Sequence, residues 1–134
     1  MMTALATGVD LVEISRLETY RAEKPTLWPR FLRRVYTPRE IEQAGESCQS
    51  LAGLFAAKEA AAKALGCGIG PVSWQELEIL KAESGAPRLE LHGKARELAA
   101  AQGLTVWSVS ISHTRGHALA FVAALGGDGA GEAG

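Results

Sequence analysis

The chain of 134 residues is poor in cysteine, in aspartate and in excess charge of either sign. Cys48 and Cys67 are its only cysteines, with no Cys-x-x-Cys and no Cys/His spacing. That excludes a zinc framework or a disulfide scaffold as the organiser of the fold and makes a reducing cytoplasm the expected setting. No apolar run approaches the roughly 18 residues that a membrane-spanning helix needs. The opening MMTALATGVD lacks the basic flank and the length of a secretory signal. Lys+Arg number 14 against 15 Asp+Glu, a formal net charge of −1, which argues against bulk nucleic-acid binding. What remains is 47% hydrophobic and 22% charged, enough for one domain with a core that needs no staple. The expected domain covers residues 1–125, and the glycine-rich stretch 126–134 is expected to be a flexible tail.

The near-zero charge is unevenly laid out. Residues 1–39 hold seven Lys/Arg against four acids, and six of the nine arginines fall between Arg16 and Arg39. Such a basic third is either a solvated face or a docking patch for an acidic partner.

Residues 5–14 read as a strand around Gly8 that passes into a helix near Glu13. Trp28, Phe31, Leu32 and Val35 recur at helical spacing. Thr37-Pro38-Arg39-Glu40 is a helix start, with a Thr cap, Pro at the first helical position and Glu three residues after the cap. A helix from Ser47 or Ser50 runs to Leu65 and stops at Gly66. Val72–Leu80 and Arg88–His92 alternate around the turn Ser84–Pro87 and predict a hairpin. A short helix over 93–102 precedes the strand 105–112, which carries Trp107, Val109 and Ile111 on one face. His117–Leu125 is apolar on both faces, which suits a central strand or a subunit interface. The class is α+β, with helices packed on a mainly antiparallel sheet.

The long helix carries an anomaly. At about 100° per residue, Leu51, Leu54, Phe55, Ala62 and Leu65 form one apolar stripe, and Lys58 falls in its middle. A buried ammonium needs an anionic partner, or must snorkel past its neighbours. Glu59 and Lys63 share the flank of that stripe. Alone they are an i,i+4 surface pair. With Lys58 they present a cation, a carboxylate and a second cation, an arrangement suited to a metal-bound polyphosphate. Asp10 interrupts an apolar strand where aspartate is disfavoured. It is either a turn former or a second carboxylate for Mg²⁺. His113, at the end of its strand, is either a structural bond to a carbonyl or a phosphate ligand or proton carrier. The glycines Gly66, Gly68 and Gly70 match neither a P-loop nor a dinucleotide fingerprint.

Taken in order, Gly8-Val9-Asp10-Leu11-Val12-Glu13-Ile14, Phe31-Leu32, Tyr36-Thr37-Pro38, Leu51-Ala52-Gly53, Phe55-Ala56-Ala57-Lys58-Glu59-Ala60, Lys63-Ala64-Leu65-Gly66-Cys67-Gly68-Ile69-Gly70 and Ser110-Ile111-Ser112-His113-Thr114 resemble the bacterial holo-acyl-carrier-protein synthases, the short trimeric type of 4′-phosphopantetheinyl transferase. The resemblance implies that fold and a Mg²⁺-dependent transfer of 4′-phosphopantetheine from coenzyme A to a serine of apo-acyl carrier protein. It also implies a homotrimer with coenzyme A bound between subunits, and no role for nucleic acid or membrane. Carried over by motif, Asp10 and Glu59 hold the metal, and Asp10, Glu59 and Lys63 are catalytic. Lys58 and Lys63 face phosphates. Gly66, His113 and Thr114 lie along the coenzyme A cleft, and Gly85 and Pro87 border the adenine. Arg16, with Arg21, docks the acidic helix of the carrier protein.

The chain departs from the family pattern at Leu54, where arginine is usual, and at Glu46–Ser50, where basic residues commonly precede the motif. The grip on the coenzyme A 3′-phosphate is thereby in question, with Arg115 a candidate to compensate. The alternatives are a non-catalytic coenzyme A or nucleotide-binding relative, and a small RNA- or protein-docking module built on the arginine cluster.

Overall fold

A computed structural model describes residues 4–127. Strand β1 (Ala4–Glu13) leads directly into helix α1 (Ile14–Glu23), followed by the short helices α2 (Trp28–Val35) and α3 (Pro38–Ala44). The long helix α4 (Cys48–Ala64) follows, then a 3₁₀ turn (Trp74–Glu76) and the hairpin β2 (Leu77–Lys81) and β3 (Pro87–Leu91). Helix α5 (Gly93–Ala101) and strands β4 (Val106–His113) and β5 (His117–Gly126) complete the described chain. The strands form a three-stranded antiparallel sheet in the order β1-β5-β4 and the separate two-stranded hairpin β2-β3.

The local chemistry explains most boundaries. The Thr37 hydroxyl accepts from Glu40 N, and the Glu40 carboxylate accepts from Thr37 N, a complete capping box ahead of Pro38. Ser47 caps α4 by accepting from Ser50 N. Gly66, at φ +78°, takes the left-handed conformation that stops the helix. Two expectations shift. Trp74 sits in the 3₁₀ turn rather than in a strand, preceded by the Ser73 cap and packed at a tilt against Phe55, 4.8 Å between ring centroids. Strand β5 runs through Gly126, so the expected tail from residue 126 overlaps a strand, and residues 128–134 lie outside the described residues.

Helix α4 is the hub. It packs on the inner face of the three-stranded sheet through Ala52, Ala56, Ala57, Ala60, Ala61 and Ala64, which meet Ala118, Ala120, Val122 and Ala124 of β5. Small residues on both sides let helix and sheet approach closely. At Gly8 the approach is extreme, because a Cβ there would overlap the Ala60 carbonyl oxygen. The sequence predicted an apolar stripe, but α4 is buried over most of its circumference. The sheet covers one side, and α3, the 3₁₀ turn and β2 cover the other.

Candidate functional site

The close crossing of β1 over α4 decides where the chemistry sits. Two residues beyond Gly8, Asp10 arrives beside the α4 face that carries Glu59 and Lys63. The Lys63 ammonium donates to the Val9 carbonyl at 3.0 Å and meets Asp10 Oδ1 at 3.3 Å. Burial and then the Asp10 charge push the Glu59 carboxyl above its ordinary range, and Lys63 offsets only part of that. Asp10 is paired with Lys63, and Glu59 feels both charges without a bond to either. The set has carboxylate oxygens to spare, which fits a hard divalent cation such as Mg²⁺ bound through one or two carboxylates.

These three side chains line a cavity of about 520 Å³ together with Arg16 of α1. Its outer wall is aromatic. Phe31 lies 5.3 Å from Tyr20 and 5.5 Å from Trp28, measured between centroids. Arg21 is spent differently. It donates to the Glu46 carbonyl at 2.7 Å and lies over the Trp28 ring at 5.8 Å. The exposed Arg30, Arg33 and Arg34 of α2 form no ion pair among the described residues. The arginine cluster of the sequence is therefore an open basic rim beside the cavity.

A second cavity, about 220 Å³, opens on another face of α4, between α3, the β2-β3 hairpin and β4. It gathers Gly85, Pro87 and His113 with Leu54, Gln43 and Lys81. His113 Nε2 lies 3.1 Å from the Gln49 carbonyl oxygen. The ring packs so tightly on Gly53 that a Cβ there would lie 2.8 Å from Nε2. No residue lines both cavities.

The chain matches the 4′-phosphopantetheinyl transferase superfamily over residues 6–122. It is 45% identical to the holo-[acyl-carrier-protein] synthase of Herpetosiphon aurantiacus over 130 residues, covering 91% of this chain and 99% of that protein. The holo-[acyl-carrier-protein] synthase of Moorella thermoacetica is 46% identical, with 87% and 90% of the two chains covered. The chain belongs to the 4′-phosphopantetheinyl transferase superfamily. A solved relative of this transferase is the Helicobacter pylori holo-[acyl-carrier-protein] synthase in complex with coenzyme A. It is 35% identical with a TM-score of 0.78, over 88% of this chain and 98% of that one.

Some residues that the family motifs point to are placed elsewhere by the fold. Lys58 does not face a phosphate. It is fully buried and pairs with the equally buried Glu40 at 2.8 Å, donating also to the carbonyls of Trp74 (2.9 Å) and Leu77 (2.8 Å). The demand for an anionic partner was readable in the helix stripe, and the fold meets it with Glu40 rather than with a ligand. Glu40 shows why a capping motif can hide a second role. Its Oε2 also accepts from Ile79 N at 2.7 Å, so one carboxylate ties α3 to α4 and β2. Thr114 is tied into the β4-β5 turn, its hydroxyl accepting from His117 N, and lines neither cavity. Gly66 closes α4 and lines neither cavity, and Arg115, exposed in the turn, does not either.

Among the described residues, one cluster of three has the spacing of metal ligands, Glu78, Glu90 and His92. Its lone pairs are already engaged. Glu78 accepts from Thr37 and Arg39 and meets His92 Nε2, while Glu90 meets Arg39 and Arg88. It is a closed ionic lock on the hairpin.

Proposed function

We propose that this protein transfers the 4′-phosphopantetheine group of coenzyme A to a serine of apo-acyl carrier protein, releasing adenosine 3′,5′-bisphosphate, with Mg²⁺ held by Asp10 and Glu59. The observation that carries this reading is the gathering of Asp10, Glu59 and Lys63 in one cavity edged by Arg16. Bound there, Mg²⁺ supplies charge neutralisation and in-line orientation of the pyrophosphate. The serine oxygen forms a bond to the phosphorus that bears the pantetheine arm. The bond from that phosphorus to the bridging oxygen breaks, and the electron pair leaves with the nucleotide phosphate. Either Glu59 or a metal-associated water takes the serine proton. Lys63 is placed to hold the departing phosphate oxygen.

The carrier protein docks its acidic helix on the basic rim, with Arg16 at the cavity and Arg21 beside it. The cytoplasm, where carrier protein and coenzyme A meet, suits free cysteines. No described helix is long and apolar enough to cross a membrane.

The working unit in this reading is a homotrimer with shared sites. The sheet face turned away from α4 is apolar and uncovered. Leu5 (72% exposed), Val9, Leu11, Leu119, Phe121, Leu125 and Val106 lie on it, brought side by side by the register Val9 with Phe121, Leu11 with Leu119 and Leu5 with Leu125. Such a patch marks an interface. The two cavities of one chain share no residue, so a neighbouring copy would bring a nucleotide cleft to each carboxylate pair.

The test is intact mass of a purified apo-carrier protein after incubation with coenzyme A and Mg²⁺. A gain of one phosphopantetheine that Glu59→Ala abolishes supports the reading, and no gain with several carrier proteins overturns it in favour of a binding relative. For the assembly, light scattering on wild-type protein and Phe121→Glu separates trimer from monomer. A monomeric active wild type overturns the shared site.

A further inference from the structure

Among the described residues, the buried charged side chains are Glu40, Lys58 and Glu78. They lie in one network rather than in three places. Lys58 Nζ pairs with Glu40 Oε1 at 2.8 Å and donates to the carbonyl of Leu77, the residue before Glu78. The Thr37 hydroxyl accepts from Glu40 N at 3.2 Å and donates to Glu78 Oε2 at 2.6 Å. Arg39 and His92 close the outer side of Glu78 at 2.9 and 3.0 Å. Every buried side-chain nitrogen and oxygen among the described residues has a partner.

Such a network is a poor source of stability. Taking charges out of water is expensive, and apolar residues of similar volume often replace a buried pair at no loss. What its bonds do supply is position, because each has a length and a direction that an apolar contact lacks. The hairpin has few other ties. It is not hydrogen-bonded to the three-stranded sheet, and a two-stranded hairpin alone is marginal in water. Glu40 holds it from α3, accepting from Ile79 N at 2.7 Å. Lys58 holds it from α4 through the Leu77 carbonyl at 2.8 Å. Gln43, one turn after Glu40, donates to the Ile79 carbonyl and accepts from Lys81 N.

The same three segments are walls of the smaller cavity. Gln43 lines it from α3, Gly53 and Leu54 from α4, and Ile79 and Leu80 from β2. Glu40 and Lys58 line neither cavity. Ile79 joins the network to the cavity, since its N–H is bonded to Glu40 and it stands in the wall.

We propose that Glu40, through its pair with Lys58, is a positioning residue for coenzyme A. It sets the spacing of α3, α4 and the hairpin, and so the width of the cleft that receives the nucleotide. The assignment rests on the coenzyme A reading above and adds to it a residue that touches no ligand.

The experiment compares stability with kinetics in Glu40→Gln/Lys58→Met. Both charges leave together, and the new amide oxygen remains to accept from Ile79 N. The unfolding temperature should stay within about 5 °C of wild type. The KM for coenzyme A should nonetheless rise about tenfold, because a displaced wall misplaces the ligand. The kcat and the KM for carrier protein should stay within about twofold, the pattern of lost binding rather than lost chemistry. Leu104→Ala, in the core and lining neither cavity, is the control. It should lower the unfolding temperature and leave the coenzyme A KM unchanged. Glu78→Gln loosens only the outer arm, should raise that KM about threefold, and decides the matter if the double variant does not fold. An unchanged coenzyme A KM in the deciding variant, or an equal rise in Leu104→Ala, overturns the assignment and leaves the transferase reading intact. A wild type with no turnover of coenzyme A overturns both.

Discussion

Lys58 and Lys63 stand five residues apart on α4 and each meets a carboxylate, yet their surroundings are opposite. The Lys58–Glu40 pair is 0% exposed on both sides, while the Lys63–Asp10 pair is 52% and 19% exposed. The sealed pair is saturated. Lys58 makes three contacts to oxygen, and the two Glu40 oxygens also serve Thr37 N and Ile79 N. Nothing is left over to bind a ligand. The open pair has an unshared Asp10 oxygen, a second carboxylate in Glu59 and a cavity in front of it. Both are lysine–carboxylate pairs, so burial and the count of remaining valences separate an architectural ion pair from a reactive one.

The largest expected effect comes from breaking the sealed pair. Lys58→Ala leaves the Glu40 carboxylate buried and unpaired, which should cost about 3–5 kcal/mol of folding free energy. Urea unfolding measures it, and a loss below about 1 kcal/mol would erase the contrast. Lys63→Ala should behave the other way round. As an exposed pair its loss costs at most about 1 kcal/mol in stability. Transfer to the carrier protein should nonetheless fall about 100-fold or more, in a rate assay at saturating coenzyme A.

A smaller and sharper effect concerns Glu59. Its native carboxyl is raised, by burial first and by Asp10 second. The native state then binds more protons than the unfolded chain between the ordinary carboxyl value and the raised one. Wild-type stability should fall as pH rises through that window. Glu59→Gln should flatten the slope, and thermal unfolding at several pH values reads it. A wild type and variant with parallel curves would show that the Glu59 carboxyl is not raised in the folded state. Near neutral pH Glu59→Gln should be slightly more stable than wild type although inactive, the mark of a site that carries strain for function.

Much of this was legible from residues alone. The Thr37–Glu40 box, the Ser47 cap, the glycine stop at 66 and the alternation of β4 all act over a few residues, so local chemistry decides them. The oddities were legible too. Asp10 in an apolar strand and Lys58 in an apolar stripe each announce that something must meet a charge. What met it was not legible. Glu40 lies 18 positions before Lys58, and its capping role accounts for it fully at the local level. The ordered motifs pointed to the family, and they carried Lys58 into a ligand role that its burial against Glu40 does not support.

The sequence by itself determined the α+β class, the helix caps at Thr37 and Ser47, the hairpin turn and the segregation of arginine into the first third, since these follow from periodicity and neighbouring side chains. Only the tertiary structure decided which lysine is sealed and which carboxylates gather in one cavity. Those properties depend on how closely β1 crosses α4 at Gly8 and on what α3 and β2 cover. A charge is made structural or chemical by whether water and a ligand can reach it, and reach is set by contacts between segments far apart in the chain.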